Sequence, residues 1–517
     1  MKIKSFLAKP FANYIHRQIK KGMITAVTDQ TKIFNQLIKT GQKTQFGKDH
    51  NYASIKTHED FVKQVPIRDY ESFKPYIEKI KEGRHNILWT GVPIYFAKTS
   101  GTTSGVKYIP ITKESIPNHI NTARNALLCY MAETGNIKFA DGRLIFLSGS
   151  PVLERIGGIP TGRLSGIVNH HVPKYLRANQ LPSYETNCIE DWEQKLDKIV
   201  EETINENMTL ISGIPPWMQM YFDRLIEKSG KKIGELFPNF SLMVQGGVNF
   251  EPYKAKLTES IGRNIDTIEL FPASEGFFAF QDSQKEPGML LNTDSGIFFE
   301  FIPVAEIQDE NPTRLTLKDV KVGENYALII SNNAGLWAYN IGDTVRFLST
   351  EPYRLMVSGR TKHFISAFGE HVIVEEVESA ILTAAAGENI HLTEFTVAPY
   401  ISTDKGKSYH EWFIEFENMP ADLDKFAKKI DDNLRHKNVY YDDLISGNIL
   451  QPLKITLVQK NGFVNYMKSI GKLGGQNKVA RLGNDRKIAD AMKAFTAIGN
   501  RQSEDARSAV ANPDSGL

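Results

Sequence analysis

Between Leu144 and Phe271, short apolar runs alternate with helical patterns, and that alternation leaves few architectures open. Leu144-Ile-Phe-Leu147, Thr209-Leu-Ile-Ser212, Ser241-Leu-Met-Val244 and Asp266-Thr-Ile-Glu-Leu-Phe271 read as strands. Between them, Trp192, Leu196, Ile199, Val200 and Thr203 recur at helical spacing. Pro216 opens a second helix, and a third runs from about Pro252 to Ile261. Strands joined through such helices form βα units, so the expected class is α/β with a mainly parallel sheet. Ligands of these sheets sit outside the carboxyl ends of the strands. Gly246-Gly247 and Pro272-Ala-Ser-Glu275 lie just there.

The flanks read differently. Residues before about 90 have a mainly helical pattern, with Thr57-His-Glu-Asp60 suited to a helix start. Ile116, Ile120, Ala123, Leu127 and Met131 predict one buried stripe of a helix, with Thr112 as its candidate N-cap. From Gly288 to Ser349 the pattern turns to short strands, among them Ile297–Phe301, Tyr326–Ile330 and Thr344–Phe347. Beyond Gly359 come a helix near Glu375–Leu382, strands near Glu394–Ala398 and Glu411–Glu417, a helix near Ala421–Arg435 and a strand at Lys454–Val458. The expected organisation is a large N-terminal α/β domain over 1–358, followed by a smaller α+β domain over 359–499. A polar, frayed tail is expected over 500–517.

The stretch Thr99-Ser-Gly-Thr-Thr-Ser-Gly-Val-Lys107 lies between two further strand-like runs. Its glycines allow a curled backbone whose N–H groups can point into one concavity. Hydroxyls and a lysine add donors and charge suited to phosphate oxygens. Taken alone, such a loop also suits a solvated hairpin turn. It is not a Walker A loop, since no Gly-Lys-Ser/Thr closes it and no helix follows directly.

With 62 basic and 60 acidic residues the formal net charge is +2, which argues against a general nucleic-acid binder. Cys129 and Cys188 are too few for a disulfide framework and fit a reducing, cytoplasmic setting. Met1–Pro10 lacks the apolar core of a secretory signal, and no stretch approaches the ~18 apolar residues of a membrane span. No obligate protein partner is evident.

Four other pieces carry chemistry. Phe271-Pro-Ala-Ser-Glu-Gly276 puts a carboxylate in a strand-end loop, and Tyr339-Asn-Ile-Gly-Asp343 sets an aspartate beside a glycine turn. Gly359-Arg-Thr-Lys362 holds two cations, and Gly471-Lys-Leu-Gly-Gly-Gln-Asn-Lys-Val-Ala-Arg481 is a basic glycine-rich loop. Each alone also suits a turn or a solvated charge cluster. Their order and spacing resemble the adenylate-forming superfamily of acyl-CoA synthetases, luciferases and peptide-synthetase adenylation domains. Within it, the chain looks most like the auxin-responsive acyl-acid amido synthetase family, from about Pro66 to Asp490. Val65-Pro-Ile-Arg-Asp-Tyr-Glu-Ser-Phe-Lys-Pro-Tyr-Ile77, Phe237-Pro-Asn-Phe-Ser-Leu-Met-Val-Gln-Gly-Gly247 and Ser408-Tyr-His-Glu-Trp-Phe-Ile-Glu-Phe416 match that family's text as well.

The resemblance implies an ATP- and Mg²⁺-dependent ligase. Thr99, Ser100, Gly101, Thr102, Thr103 and Gly105 would form the phosphate-binding loop, with Lys107 beside it. Gly246 and Gly247 would flank adenine, with Ser274 near the nucleotide and Glu275 as the Mg²⁺ ligand. Asp343 would hold the ribose, Arg360 a ribose or phosphate oxygen, Lys362 the hinge, and Lys478 the carboxylate and α-phosphate. Three positions depart from the family text: Phe271 for Tyr, Asn340 for Arg, and Ala480 for Pro. The implied substrates are a small carboxylic acid and an amine, an amino acid foremost. A thioester-forming (acyl-CoA) ligase and a catalytically inactive nucleotide-binding scaffold are the alternatives.

Overall fold

The computed structural model describes residues 3–102, 105–172, 177–248, 250–307, 309–360, 364–370, 372–386, 390–402, 408–470 and 479–496. The expected tail over 500–517 lies outside the described residues. Two compact units make up the chain: Met1–Thr99 with Lys107–Thr361, and Ser100–Val106 with Lys362–Leu517.

The first strands in chain order are β1 (Tyr95–Thr102), β2 (Gly105–Ile111), β3 (Arg143–Phe146), β4 (Glu154–Ile156), β5 (Ile159–Gly162), β6 (Gln180–Leu181), β7 (Met208–Gly213) and β8 (Leu242–Gly246). There follow β9 (Asp266–Ala273), β10 (Gly276–Phe280), β11 (Met289–Leu291), β12 (Ile297–Pro303), β13 (Asn325–Asn332), β14 (Tyr339–Thr350) and β15 (Tyr353–Arg360). They form an eleven-stranded sheet, β12-β13-β14-β15-β11-β10-β9-β8-β7-β3-β6, and a four-stranded sheet, β2-β1-β5-β4.

β6, β3, β7, β8 and β9 are parallel neighbours. From β9 through β10, β11, β15, β14 and β13 to β12, the pairings are antiparallel. The class is α/β as expected, but the sheet is mixed rather than mainly parallel. Connection length is the reason. Only Ser274 and Glu275 separate β9 from β10, whereas a parallel return needs a crossover of about a dozen residues. Strand β10 escapes the sequence pattern because all five of its residues are buried, so no alternation marks it.

The parallel half is built as its pattern predicts. Trp192–Thr203 is helical and buries Trp192, Leu196, Ile199, Val200 and Thr203, together with Lys195. Burial pulls the Lys195 pKa down to about 8, while its Nζ donates to the main-chain oxygens of Ser148 and Asn187. His58–Gln64 begins at the expected cap, with Thr57 and Asp60 exchanging a capping box.

The helix Ile116–Thr134 departs from expectation. Its N-cap is Ser115, and Thr112 instead exchanges hydrogen bonds of 2.9 and 3.1 Å with Ser115. Its buried residues are Asn118, His119, Thr122, Ala126 and Leu128–Met131, while Ile116, Ile120, Ala123 and Leu127 are half-buried. The β9–β10 register shifts at Phe277, and Asn118 bonds the main chain there, donating to Phe277 O and accepting from Phe277 N. In its first two turns the inward side is therefore polar, while Met131, the last residue of the expected stripe, is buried near the other end.

The long helix Ile3–Gly41 docks through Gln30, which donates to the Thr293 and Ile297 oxygens and accepts from Phe299 N. Beneath it, Glu300 is fully buried and is held by Arg314 and by His58 Nε2 at 2.8 Å. Among the described residues no helix is long and apolar enough to cross a membrane.

In the smaller unit, β16 (Phe364–Ile365) and β17 (Val372–Ile373) form a hairpin, and β18 (His391–Tyr400), β19 (Tyr409–Asn418) and β20 (Lys454–Leu457) form a sheet. The helices Val374–Ala385 and Leu423–Lys437 belong to it. Buried Glu370 accepts from Phe368 N and pairs with buried His410 at 2.8 Å, tying the β16–β17 loop to β19.

Candidate active site at the strand ends

Strands β8 and β9 are parallel neighbours, with Gly246 registered against Leu270, so their carboxyl ends open on the same edge. Gly246 closes β8, and Gly247 follows with a φ of 83°. A Cβ on Gly246 would stand 2.3 Å from Leu270 O, so no larger residue fits without parting the two strands. Gly246→Ala is expected to cost about 1–3 kcal/mol, the range of core overpacking, read as a lower urea midpoint.

Across that edge, Ala273 pairs with Gly276, so Ser274 and Glu275 form the two-residue tip of the β9–β10 hairpin. Glu275 is gripped from the β13–β14 connection. Asn332, the last residue of β13, donates its Nδ2 to Glu275 O at 2.8 Å, and its Oδ1 accepts from Ala334 N and Leu336 N. Tyr339, the first residue of β14, directs its hydroxyl at Glu275 Oε1, 3.4 Å away. Burial raises the Tyr339 pKa well above its ordinary value and the neighbouring Glu275 charge raises it further, so the hydroxyl stays a donor.

The start of β14 is itself fixed by Arg68, whose N donates to Ala338 O and whose O accepts from Asn340 N. Ala338 adopts φ 46°, a conformation costly for a residue with a Cβ. It is held there by Ser331 Oγ, which accepts from its N–H. Asp343 lies five residues on, buried, and its backbone pairs with that of Arg360 at the end of β15. Asn340, which departs from the family text, acts locally. Its Oδ1 accepts from Gly342 N, bending β14 just before Asp343. Phe271 is buried and packs edge-on against Phe278, with ring centroids 5.1 Å apart. Ala480 O accepts from Thr396 Oγ1 at 2.7 Å within the smaller unit.

The structure thus brings Gly246, Gly247, Ser274 and Glu275 to one edge of the larger unit, with the start of β14 against Glu275. Thr99, Ser100, Gly101 and Thr102 close β1, Gly105 opens β2 and Lys107 follows within β2. Thr103, Lys362 and Lys478 lie outside the described residues. Sequence reading missed Asn332, Tyr339 as a partner of Glu275, Arg68 and Asn118. Asn332-Asn333 before Gly335 signals a turn, but nothing local signals contact with a residue 57 positions away.

Comparison with known proteins gives the family of the chain. The GH3 family N-terminal, central and C-terminal domains match residues 15–181, 290–360 and 375–487. A jasmonoyl–L-amino acid synthetase of Nicotiana attenuata is 24% identical over 426 residues, covering 68% of this chain and 73% of that protein. An indole-3-acetic acid-amido synthetase of Arabidopsis thaliana is 22% identical over 543 residues, covering 87% of this chain and 88% of its own length. Among solved structures, the GH3.15 acyl acid amido synthetase superposes with a TM-score of 0.59 at 14% identity, covering 93% of this chain and 96% of that one. With all three of its domains matched in order, the chain belongs to the GH3 family.

Proposed function

We propose that this protein is an ATP-dependent acyl-acid amido synthetase, which activates a small carboxylic acid as its acyl-adenylate and passes the acyl group to an amine, an amino acid foremost. The observation that carries this reading is the Glu275 turn, seated at the carboxyl end of a parallel strand beside Gly246-Gly247, in a chain of the GH3 family.

A carboxylate is a poor electrophile because oxide would have to leave. In the first step a substrate carboxylate oxygen attacks the α-phosphorus of ATP, and pyrophosphate departs with the electrons of the broken bond. In the second, the amine attacks the acyl carbon, AMP leaves, and the ammonium proton passes to solvent. Both steps depend on positioning and on neutralising charge, so no protein nucleophile is required. Gly246 and Gly247 give adenine a flat approach, Asp343 accepts from ribose hydroxyls, and Arg360 and Lys107 bind phosphate or ribose oxygens. Residues Thr99 to Gly105 supply main-chain N–H groups and hydroxyls, and Lys478 neutralises the α-phosphate. Lys362 serves as the hinge between a domain over 1–358 and one over 359–499.

Mg²⁺ suits the donor set, because it is commonly held by one or two carboxylates plus substrate phosphates rather than by an all-protein cage. Among the described residues no group of three or more His, Cys, Asp or Glu forms such a cage, and Glu275 offers one carboxylate on a fixed turn. Bound there, the ion would neutralise charge on the phosphates. The free thiols of Cys129 and Cys188 fit a cytoplasmic enzyme.

The test is carboxylate-dependent ATP–pyrophosphate exchange over a panel of aromatic, indolic and aliphatic acids, without amine or thiol. Exchange with one class is expected, followed by amide formation when amino acids are added. Turnover with CoA instead would establish the thioester ligase. Silence across the panel while ATP still binds would favour the inactive scaffold.

A further inference from the structure

We propose that Tyr339 and Asn332 are positioning residues that aim the Glu275 carboxylate at the metal–phosphate complex, an inference that rests on the nucleotide reading of the site. Neither belongs to the residues that the resemblance marks for nucleotide or metal.

A carboxylate on a hairpin tip has two freedoms: the tilt of the turn and the rotation of its own side chain. Asn332 removes the first. Its amide holds Glu275 O at 2.8 Å, while its carbonyl oxygen gathers Ala334 N and Leu336 N, so turn and loop move as one body. Asn332 is 1% exposed, and its anchor is therefore not shared with solvent. Tyr339 limits the second freedom. It is equally buried, its ring packs edge-on against Phe73 at 5.6 Å, and its hydroxyl points at Oε1 from 3.4 Å. That separation is long for a hydroxyl–carboxylate bond, as catalytic contacts often are before substrate binds. By engaging Oε1 from the protein side, the hydroxyl sets which way the carboxylate plane is turned toward the cation.

Arg68 carries the same control further back. It is paired with the main chain on both sides of Tyr339, and its guanidinium donates to His50 Nε2 at 2.7 Å. Tyr339 is thereby fixed by main chain as well as by packing. A tyrosine serving only as core filling would need no hydroxyl.

The experiment is a calorimetric titration with ATP, once with saturating Mg²⁺ and once with EDTA. It uses the full chain and its Tyr339→Phe, Glu275→Gln and double variants. Tyr339→Phe is expected to weaken Mg·ATP binding about 3- to 10-fold, the worth of one hydrogen bond, and to leave metal-free binding unchanged. In the Glu275→Gln background the same change is expected to add nothing, because its effect runs through the carboxylate. Asn332→Asp, which keeps the acceptor and gives up the donor, is expected to act in the same direction and serves as the second variant. Equal weakening with and without metal, additive losses, or no loss in Tyr339→Phe would overturn the positioning role. No metal-dependent change in Glu275→Gln would instead remove the reading of Glu275 itself, and the inference with it.

Discussion

Arg314→Met is expected to destabilise the protein by about 3–5 kcal/mol, the cost of leaving a buried charge without its partner. Glu300 is fully buried, and its two carboxylate oxygens accept from Arg314 Nε and Nη2 at 2.8 Å each. Arg314 also donates to Val65 O, so its loss orphans a main-chain acceptor as well. Burial opposes ionisation of Glu300, but Arg314 and His58 outweigh it and hold the carboxyl below its ordinary pKa. A group depressed in this way contributes its full stability above the unfolded-state pKa of roughly 4.3 and loses it as pH falls through the folded-state value. The urea midpoint of the wild type should therefore fall on acidification more steeply than that of Arg314→Met/Glu300→Leu. That double variant should also recover most of the stability lost in Arg314→Met, because it removes both charges together. Equal midpoints for wild type and Arg314→Met would show that the guanidinium contributes nothing.

Lys478→Ala is expected to slow ATP–pyrophosphate exchange about 10²- to 10³-fold, the usual effect of removing one group that stabilises developing charge. Attack at the α-phosphorus brings two anions together, and in the proposed reading the Lys478 ammonium offsets their repulsion. Attack of the amine on a finished acyl-adenylate brings no such meeting of anions. Amide formation from a preformed adenylate should therefore survive the substitution. Lys478→Arg should restore the exchange only in part, since a planar fork replaces a compact point charge. Equal loss in both half-reactions would remove Lys478 from this role.

Local chemistry made the strand ends legible. Gly246-Gly247 and Ser274-Glu275 announce themselves because an apolar run stops and turn residues follow, which holds in the sequence and in the sheet alike. The buried face of Trp192–Thr203 is read correctly down to Thr203, since periodicity reports burial when the buried groups are apolar. The same reasoning finds Met131 in Ile116–Thr134 but misses the buried polar residues Asn118, His119 and Thr122. There a bulged strand needs hydrogen-bond partners, and Asn118 supplies them from the inward side. Likewise β10 offers no alternation to detect, and without it the antiparallel turn of the sheet is invisible. Asn332 and Tyr339 stay hidden for a third reason. Their partner is set by sheet order, which no window of the sequence encodes.

The shortness of the β9–β10 connection has a consequence for how the site can change over evolutionary time. Residues on a long loop must be ordered when ligand arrives, at about 1–2 kcal/mol of backbone entropy each. Ser274 and Glu275 are ordered by the closing of a hairpin, so that cost falls on folding, where the pairing of Ala273 with Gly276 offsets it. A turn of this kind tolerates substitution but not insertion: one extra residue would slide the register of β10 and turn Gly276–Phe280 to opposite faces. On the proposed reading, the position of this carboxylate is inherited with the sheet, and any change of substrate has to come from elements other than this turn.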